Sequence, residues 1–150
     1  MTTAVPRPYT VTARIDAPDA PAPVPGVYTA TVYMNTADDN FEGYHHNQPL
    51  AEVTRPDGSP LRLVFHAGDR ITDHEAAADA AFTVGNDQGP DDNGQRWPAD
   101  VRSVSVGDVI KVTGPDHWII HLSVDSYGFS TVPEPTTLVG LAGTRATRRR

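Results

Sequence analysis

Apolar and polar residues alternate with a period of two along much of this chain, and that pattern constrains the fold more than any other feature. In YTVTARI, Tyr9, Val11, Ala13 and Ile15 alternate with Thr10, Thr12 and Arg14; in VYTATVYM, Tyr28, Ala30, Val32 and Met34 alternate with Thr29, Thr31 and Tyr33. Successive side chains of a strand point to opposite faces, so each stretch predicts a strand with one face on a core. The same parity holds for Leu61, Leu63 and Phe65 in LRLVF and for Trp118, Ile120, Leu122 and Val124 in HWIIHLSV. SYGFSTV predicts a last short strand ending at Pro133. RSVSVGDVIKV, residues 102 to 112, reads as two strands meeting at Gly107-Asp108, with Val104 and Val106 leading in and Ile110 and Val112 leading out.

One segment changes period. In TDHEAAADAAFTVGN, Thr72 and Glu75 stand at capping-box spacing, five alanines supply helix propensity, and Gly85 follows as a stop. The spacing predicts one helix over 73 to 84, with Ala78, Ala81, Phe82 and Ile71 on its buried side. Between the periodic segments lie turn signals: Pro56-Asp57-Gly58, Gly114-Pro115-Asp116 and the polar run NDQGPDDNGQRWPAD. Strands around a lone helix predict an α+β fold, a mostly antiparallel curved sheet or half-barrel. With 150 residues the chain has room for one such domain. It divides into a Pro-rich N-terminal segment with one strand (1–25), the α+β body (26–133) and a disordered basic tail (134–150).

Charge and composition narrow the chemistry. Arg145, Arg148, Arg149 and Arg150 crowd the last six positions; without them residues 1 to 144 carry 8 basic against 19 acidic residues, a formal −11. Such a body repels phosphate backbones, which argues against nucleic acid on its folded part and for a basic protein partner. The Arg tail alone is the one basic element suited to nucleic acid. Cysteine is absent, which excludes disulfides, thiolate metal sites and a cysteine nucleophile and fits a cytoplasmic setting. The end VPEPTTLVGLAGTRATRRR resembles the start and basic close of a PEP-CTERM sorting signal, but only nine residues separate Pro135 from Arg145, far short of the roughly 20 apolar residues a membrane span needs. No membrane association is expected.

Each reactive-looking constellation has a plainer reading. A phosphate loop needs several glycines opening a helix, whereas Gly107 opens a strand; Asp108 fits a tight turn in which it bonds backbone amides. His117 and His121, four apart, diverge on a strand. A metal-assisted hydrolase would draw on His45, His46, His66 and His74, yet no zinc spacing such as H-E-x-x-H occurs, and no cofactor is called for. NDQGPDDNG fails the calcium-loop register because Gly89 and Pro90 fall on its first two positions. Ser103, Ser105, Ser123, Ser126 and Ser130 lack a nucleophile elbow. Residues 38 to 100 hold thirteen acids against four arginines, a strip suited to a partner.

Taken in order, AAFTVGND, an acidic loop, RSVSVGDVIKV, a tryptophan strand and VDSYGF resemble the YodL-like domain family over residues 28 to 132. Two motifs carry the resemblance: Arg102, Ser103, Ser105, Val106, Gly107, Asp108 and Val109, then Asp125, Ser126, Tyr127, Gly128 and Phe129, with Val104 standing where the family has a longer aliphatic side chain. The resemblance implies an accessory module of plasmids, phages or other mobile elements, and it supplies no catalytic residue. Arg102, Ser103, Ser105, Asp108, Trp118, Asp125 and Phe129 are the candidate binding residues. Against that stands a structural role, an Arg-Asp ion pair pinning the last hairpin. The expected function is a non-enzymatic interaction domain with an acidic surface for a protein partner.

Overall fold

The computed structural model describes residues 13–14, 26–37, 43–45 and 47–147. Among them the strands are β1 (Ala13–Arg14), β2 (Val27–Asn35), β3 (Leu50–Glu52), β4 (Leu63–His66), β5 (Val109–Thr113), β6 (Trp118–Val124), β7 (Phe129–Val132) and β8 (Leu138–Val139), with helix α1 (His74–Gly85) between β4 and β5. All join one open sheet in the order β1-β6-β5-β2-β3-β8, with β4 added on β2 and β7 on β6. Every pair is antiparallel except β3 with β8. The class is α+β, as the alternation and the single alanine-rich stretch predict. Among the described residues no helix is long and apolar enough to cross a membrane.

Strand β2 is the axis of the sheet. One edge pairs with β5 from Thr29 to Tyr33; the other is shared, β4 covering Val27 to Ala30 and β3 covering Tyr33 to Asn35. Between β3 and β4 the chain leaves the ladder in a turn at 55 to 58, where Gly58 adopts φ 89° and its amide donates to the Arg55 carbonyl at 2.8 Å. A positive φ there suits glycine and few other residues.

The predicted parity is the observed one. Tyr28, Ala30, Val32 and Met34 are buried on one face with Leu61, Leu63, Phe65, Ile110, Val112, Ile120, Leu122 and Val124, all beneath α1. Trp118 departs from this set and is only half-buried at the start of β6. On the opposite face Tyr33, Leu50 and Val109 form a smaller cluster that Tyr44 and Val132 partly cover. Strand β6 is buried on both sides, since Ile119, His121 and Ser123 are enclosed too.

The helix is capped one residue later than expected. Asp73, not Thr72, is the N-cap, accepting from the Ala76 amide at 2.8 Å. Both residue types cap well, and the side chain that reaches the open amide decides. Its buried side comprises His74, Ala77, Ala78, Ala81 and Val84; Phe82 and Ile71 pack at the margin. The first turn docks on the β5–β6 loop: His74 Nε2 lies 2.9 Å from the Trp118 carbonyl oxygen, and its ring meets Tyr28 edge-on at 5.4 Å. A Cβ on Gly114 would stand 2.8 Å from the His74 ring, so glycine permits that approach. At the other end, a Cβ on Gly85 would collide with the Val104 side chain.

Two expectations are corrected. Residues 102 to 106 form no strand; the Val104 amide donates to the Gly85 carbonyl at 3.1 Å and the Ser105 amide to the Asp108 carboxylate at 2.8 Å, so neither is left for a ladder. Residues 134 to 147 are not a disordered tail: β8 lies along β3, Ala146 is fully buried, and its carbonyl accepts from the Arg102 amide at 2.8 Å. Of the predicted N-terminal strand, Ala13 and Arg14 pair with Ile119 and Trp118. Its remaining residues, residues 16 to 25 of the Pro-rich stretch, His46 and residues 148 to 150 lie outside the described residues.

Two predictions follow from this packing. Gly85→Ala should cost about 1–3 kcal/mol in urea unfolding through overpacking, and adding Val104→Ala should recover part of it; strictly additive losses would disprove the contact. Burial pushes the His121 imidazole down to about 4, helped by the charge of Lys111 opposite it on β5. In the unfolded chain this group protonates near 6.5, so between 6.5 and 4 only the unfolded state takes up the proton and stability falls as pH falls through that window. Melting temperatures measured across it should drop in the parent and drop less in His121→Leu.

Candidate functional site

The first motif folds around a buried carboxylate. Asp108 has no exposed surface, and four donors converge on it. Its Oδ1 accepts from the Asn35 amide at 2.7 Å and from an Arg102 Nη at 2.8 Å; its Oδ2 accepts from the other Arg102 Nη and from the Ser105 amide, both at 2.8 Å. The bidentate guanidinium is the strong form of a carboxylate partner. Arg102 donates further to the Ser103 and Asn35 carbonyls, each at 2.9 Å. Asn35 closes the set, its side-chain Nδ2 donating to the Gly107 carbonyl at 3.0 Å and to Gln48 Oε1 at 2.8 Å. The pair therefore ties the end of β2 to the start of β5. It does not pin the last hairpin.

That hairpin has its own carboxylate. Asp125 accepts from the Ser123 hydroxyl at 3.2 Å and from the Ser130 hydroxyl, bridging β6 and β7, while its amide donates to the Gly128 carbonyl at 2.9 Å. The two motifs meet where the Gly107 amide donates to the Val124 carbonyl at 2.9 Å and the Val124 amide to the Asp108 carbonyl at 2.8 Å. Arg102, Ser103, Ser105, Asp108 and Asp125 thus gather at one end of the sheet. Phe129 packs from there against the main core. Trp118 stands at the other end of β6, beside β1. The side chains of the first motif are engaged with the chain itself; the residue of this end that reaches outward is Tyr127, 98% exposed at the hairpin tip.

A groove of about 610 Å³ lies elsewhere, between α1 and the chain on either side of β4. Phe65, Ile71, Ala80 and Val84 form its floor, and Asp69, Asp79 and Asp92 stand around it with Arg70 and His66. His66 Nδ1 is 3.2 Å from Asp92 Oδ2, a contact open to solvent. The neighbouring loop also closes the free edge of β4. Asp91 Oδ2 accepts from the Val64 amide at 2.8 Å, Asp92 Oδ2 from the His66 amide at 2.7 Å, and the Asp92 amide donates to the Val64 carbonyl at 3.0 Å. Carboxylates in place of a neighbouring strand prevent edge-to-edge pairing. Asp91 also accepts from the Asn93 amide and from the backbone and side-chain amides of Gln95. This role for Asp91 and Asp92 was not read from sequence; the signal available was their position before a glycine turn.

Of the histidines named for a hydrolase, His46 lies outside the described residues and His45 is exposed. His74 is buried against the Trp118 carbonyl, His66 is exposed beside Asp92, and among the described residues no three histidine or carboxylate groups gather as a metal site. Compared with models of known protein families, with curated proteins and with solved structures, the chain shows no match.

Arg102→Met would leave Asp108 as an uncompensated buried charge and should cost on the order of 3 kcal/mol in urea unfolding. Asp108→Asn added to it should restore part of the loss. An unchanged midpoint in the single variant would show that this pair does not hold the strand ends together.

Proposed function

We propose that the chain is a non-enzymatic interaction domain that binds a basic segment of a protein partner in the groove beside α1. One observation carries this reading: three carboxylates, Asp69, Asp79 and Asp92, outnumber Arg70 and His66 around an apolar floor in a groove of about 610 Å³. Arginine and lysine combine an apolar stem with a charged head, so a floor of Phe65, Ile71, Ala80 and Val84 under an acidic rim complements both parts. The net charge of −7 speeds encounter with such a partner and repels nucleic acid from the folded part. Half-barrel curvature of the sheet around α1 fits the packing of the helix against β2, β4, β5 and β6.

The motif resemblance adds a setting, a cytoplasmic accessory module of a plasmid, phage or other mobile element related to YodL-like domains. Its sharper form is an acidic decoy that occupies a DNA-binding host protein. The motifs themselves then act as scaffold, since Arg102, Asp108 and Asp125 are spent on internal bonds.

The test is fluorescence anisotropy with a labelled arginine-rich peptide. Binding should saturate, weaken steadily with added salt, and lose about tenfold in affinity in the double variant Asp69→Asn, Asp79→Asn. Both residues are exposed, so the fold is retained. Binding that ignores salt, or that survives the double variant unchanged, would remove the groove from consideration. For the decoy form, pull-downs from host lysate should recover basic, DNA-binding proteins; recovery of none would rule it out.

A further inference from the structure

On the far side of the 91–96 loop from the acidic groove lies a second cleft, of about 520 Å³, whose charge is of the opposite sign. Pro56, Leu61 and Pro98 form an apolar floor, and Arg55 and Arg96 stand at its mouth. Two guanidiniums over an apolar surface are unexpected in a chain of net charge −7, which has only twelve basic residues to distribute.

One of the two is held in position by a chain of bonds that starts in the interior. Asp91, 5% exposed, accepts from Gln95 Nε2, which also reaches the Arg62 carbonyl; the carbonyl oxygen of the same Gln95 side chain accepts from Arg55. That amide is thus fixed in orientation, and it fixes the guanidinium at the cleft. The acidic member of the lining, Asp57, accepts the Ser59 amide at 2.9 Å and the Ser59 hydroxyl at 2.6 Å through Oδ1, and the charge of Arg55 also acts on it. Arg96 is exposed. A guanidinium carries five donors in a planar fork suited to carboxylate oxygens, and Arg55 uses one of its nitrogens on Gln95.

We propose that this cleft binds a small organic acid, a carboxylate joined to a flat apolar group, with Arg55 and Arg96 on the carboxylate and Pro56, Leu61 and Pro98 under the apolar part. The volume lies within the usual range for small-molecule sites, and the lining has their composition, mostly apolar with a few polar groups that set orientation. The site is separate from the acidic groove and stands or falls without it.

The probe is 3-phenylpropionate, titrated into the full chain labelled with ¹⁵N. Saturable shifts should appear at the Gln95 side-chain amide and at the backbone amides of Arg96 and Trp97, and the neutral 3-phenylpropionamide should bind at least about tenfold more weakly. Arg96→Ala should weaken binding about tenfold with no change in melting temperature, because that side chain is exposed; Arg55→Ala should weaken binding as much, and Arg55→Lys should recover little, since an ammonium lacks the fork. Absence of saturation, equal binding of acid and amide, or indifference to Arg96→Ala overturns the proposal. Inorganic phosphate binding as tightly as the aromatic acid would show an adventitious ion only, and tighter binding of a peptide ending in phenylalanine would replace the small acid with a chain terminus.

Discussion

A carboxylate with no exposed surface must be compensated where it sits, and in this protein most of the irregular structure follows from compensating Asp108. The guanidinium that does so comes from Arg102, six residues earlier, so the chain between them must curl back instead of running straight into β5. Curling exposes the amides of 104 and 105 to other acceptors, and these are the Gly85 carbonyl and the Asp108 carboxylate. Val104 is thereby driven against the last turn of α1, where only a residue without Cβ leaves room, and Trp97 Nε1 donates to the carbonyls of Val101 and Arg102 at 3.2 and 2.9 Å. One ion pair thus determines how the helix end, the tryptophan and the ends of β2 and β5 lie relative to one another.

The sheet is finished differently at its margins. At β4 the loop 91–96 substitutes side-chain carboxylates for a neighbouring strand, while at β3 residues 134 to 147 supply a real one, β8, and then bury Ala146 in the main core. The first solution leaves a ridge with a groove on one side and a cleft on the other. Asp92 faces the groove, Gln95 and Arg96 face the cleft, and Asp91 anchors the ridge beneath both. Of the four bonds that the Asp91 carboxylate accepts, the one from the Val64 amide closes the sheet edge and the three from Asn93 and Gln95 hold the ridge itself.

Strand parity was legible because burial on one face imposes a period of two that nothing else in the chain imitates; Tyr28 to Met34 and Leu61 to Phe65 were read correctly for that reason. Residues 102 to 106 share the alternation of valines and were misread, because alternation reports which side chains are buried and says nothing about where the amides bond. Strands β3 and β8 escaped notice since three and two residues are too short to show a period. Thr72 and Asp73 are both good caps, and sequence could not choose between neighbours. The Arg102–Asp108 pairing was foreseeable from two opposite charges flanking a glycine turn. Its third member, Asn35, is 73 positions from Asp108 and carries no local signal.

The same accounting extends to the other polar side chains of the chain, which is rich in aspartate. A reactive centre needs polar groups whose remaining bonding capacity is directed at a substrate. Here Asp108 and Asp91 are saturated by donors from the chain, Asp125 holds two serine hydroxyls, and the first turn of the helix commits His74 to the Trp118 carbonyl. At the surface the 91–96 ridge is flanked by Asp69, Asp79, Asp92 and Arg70 on one side and by Arg55, Arg96 and Asp57 on the other, each set beside apolar residues.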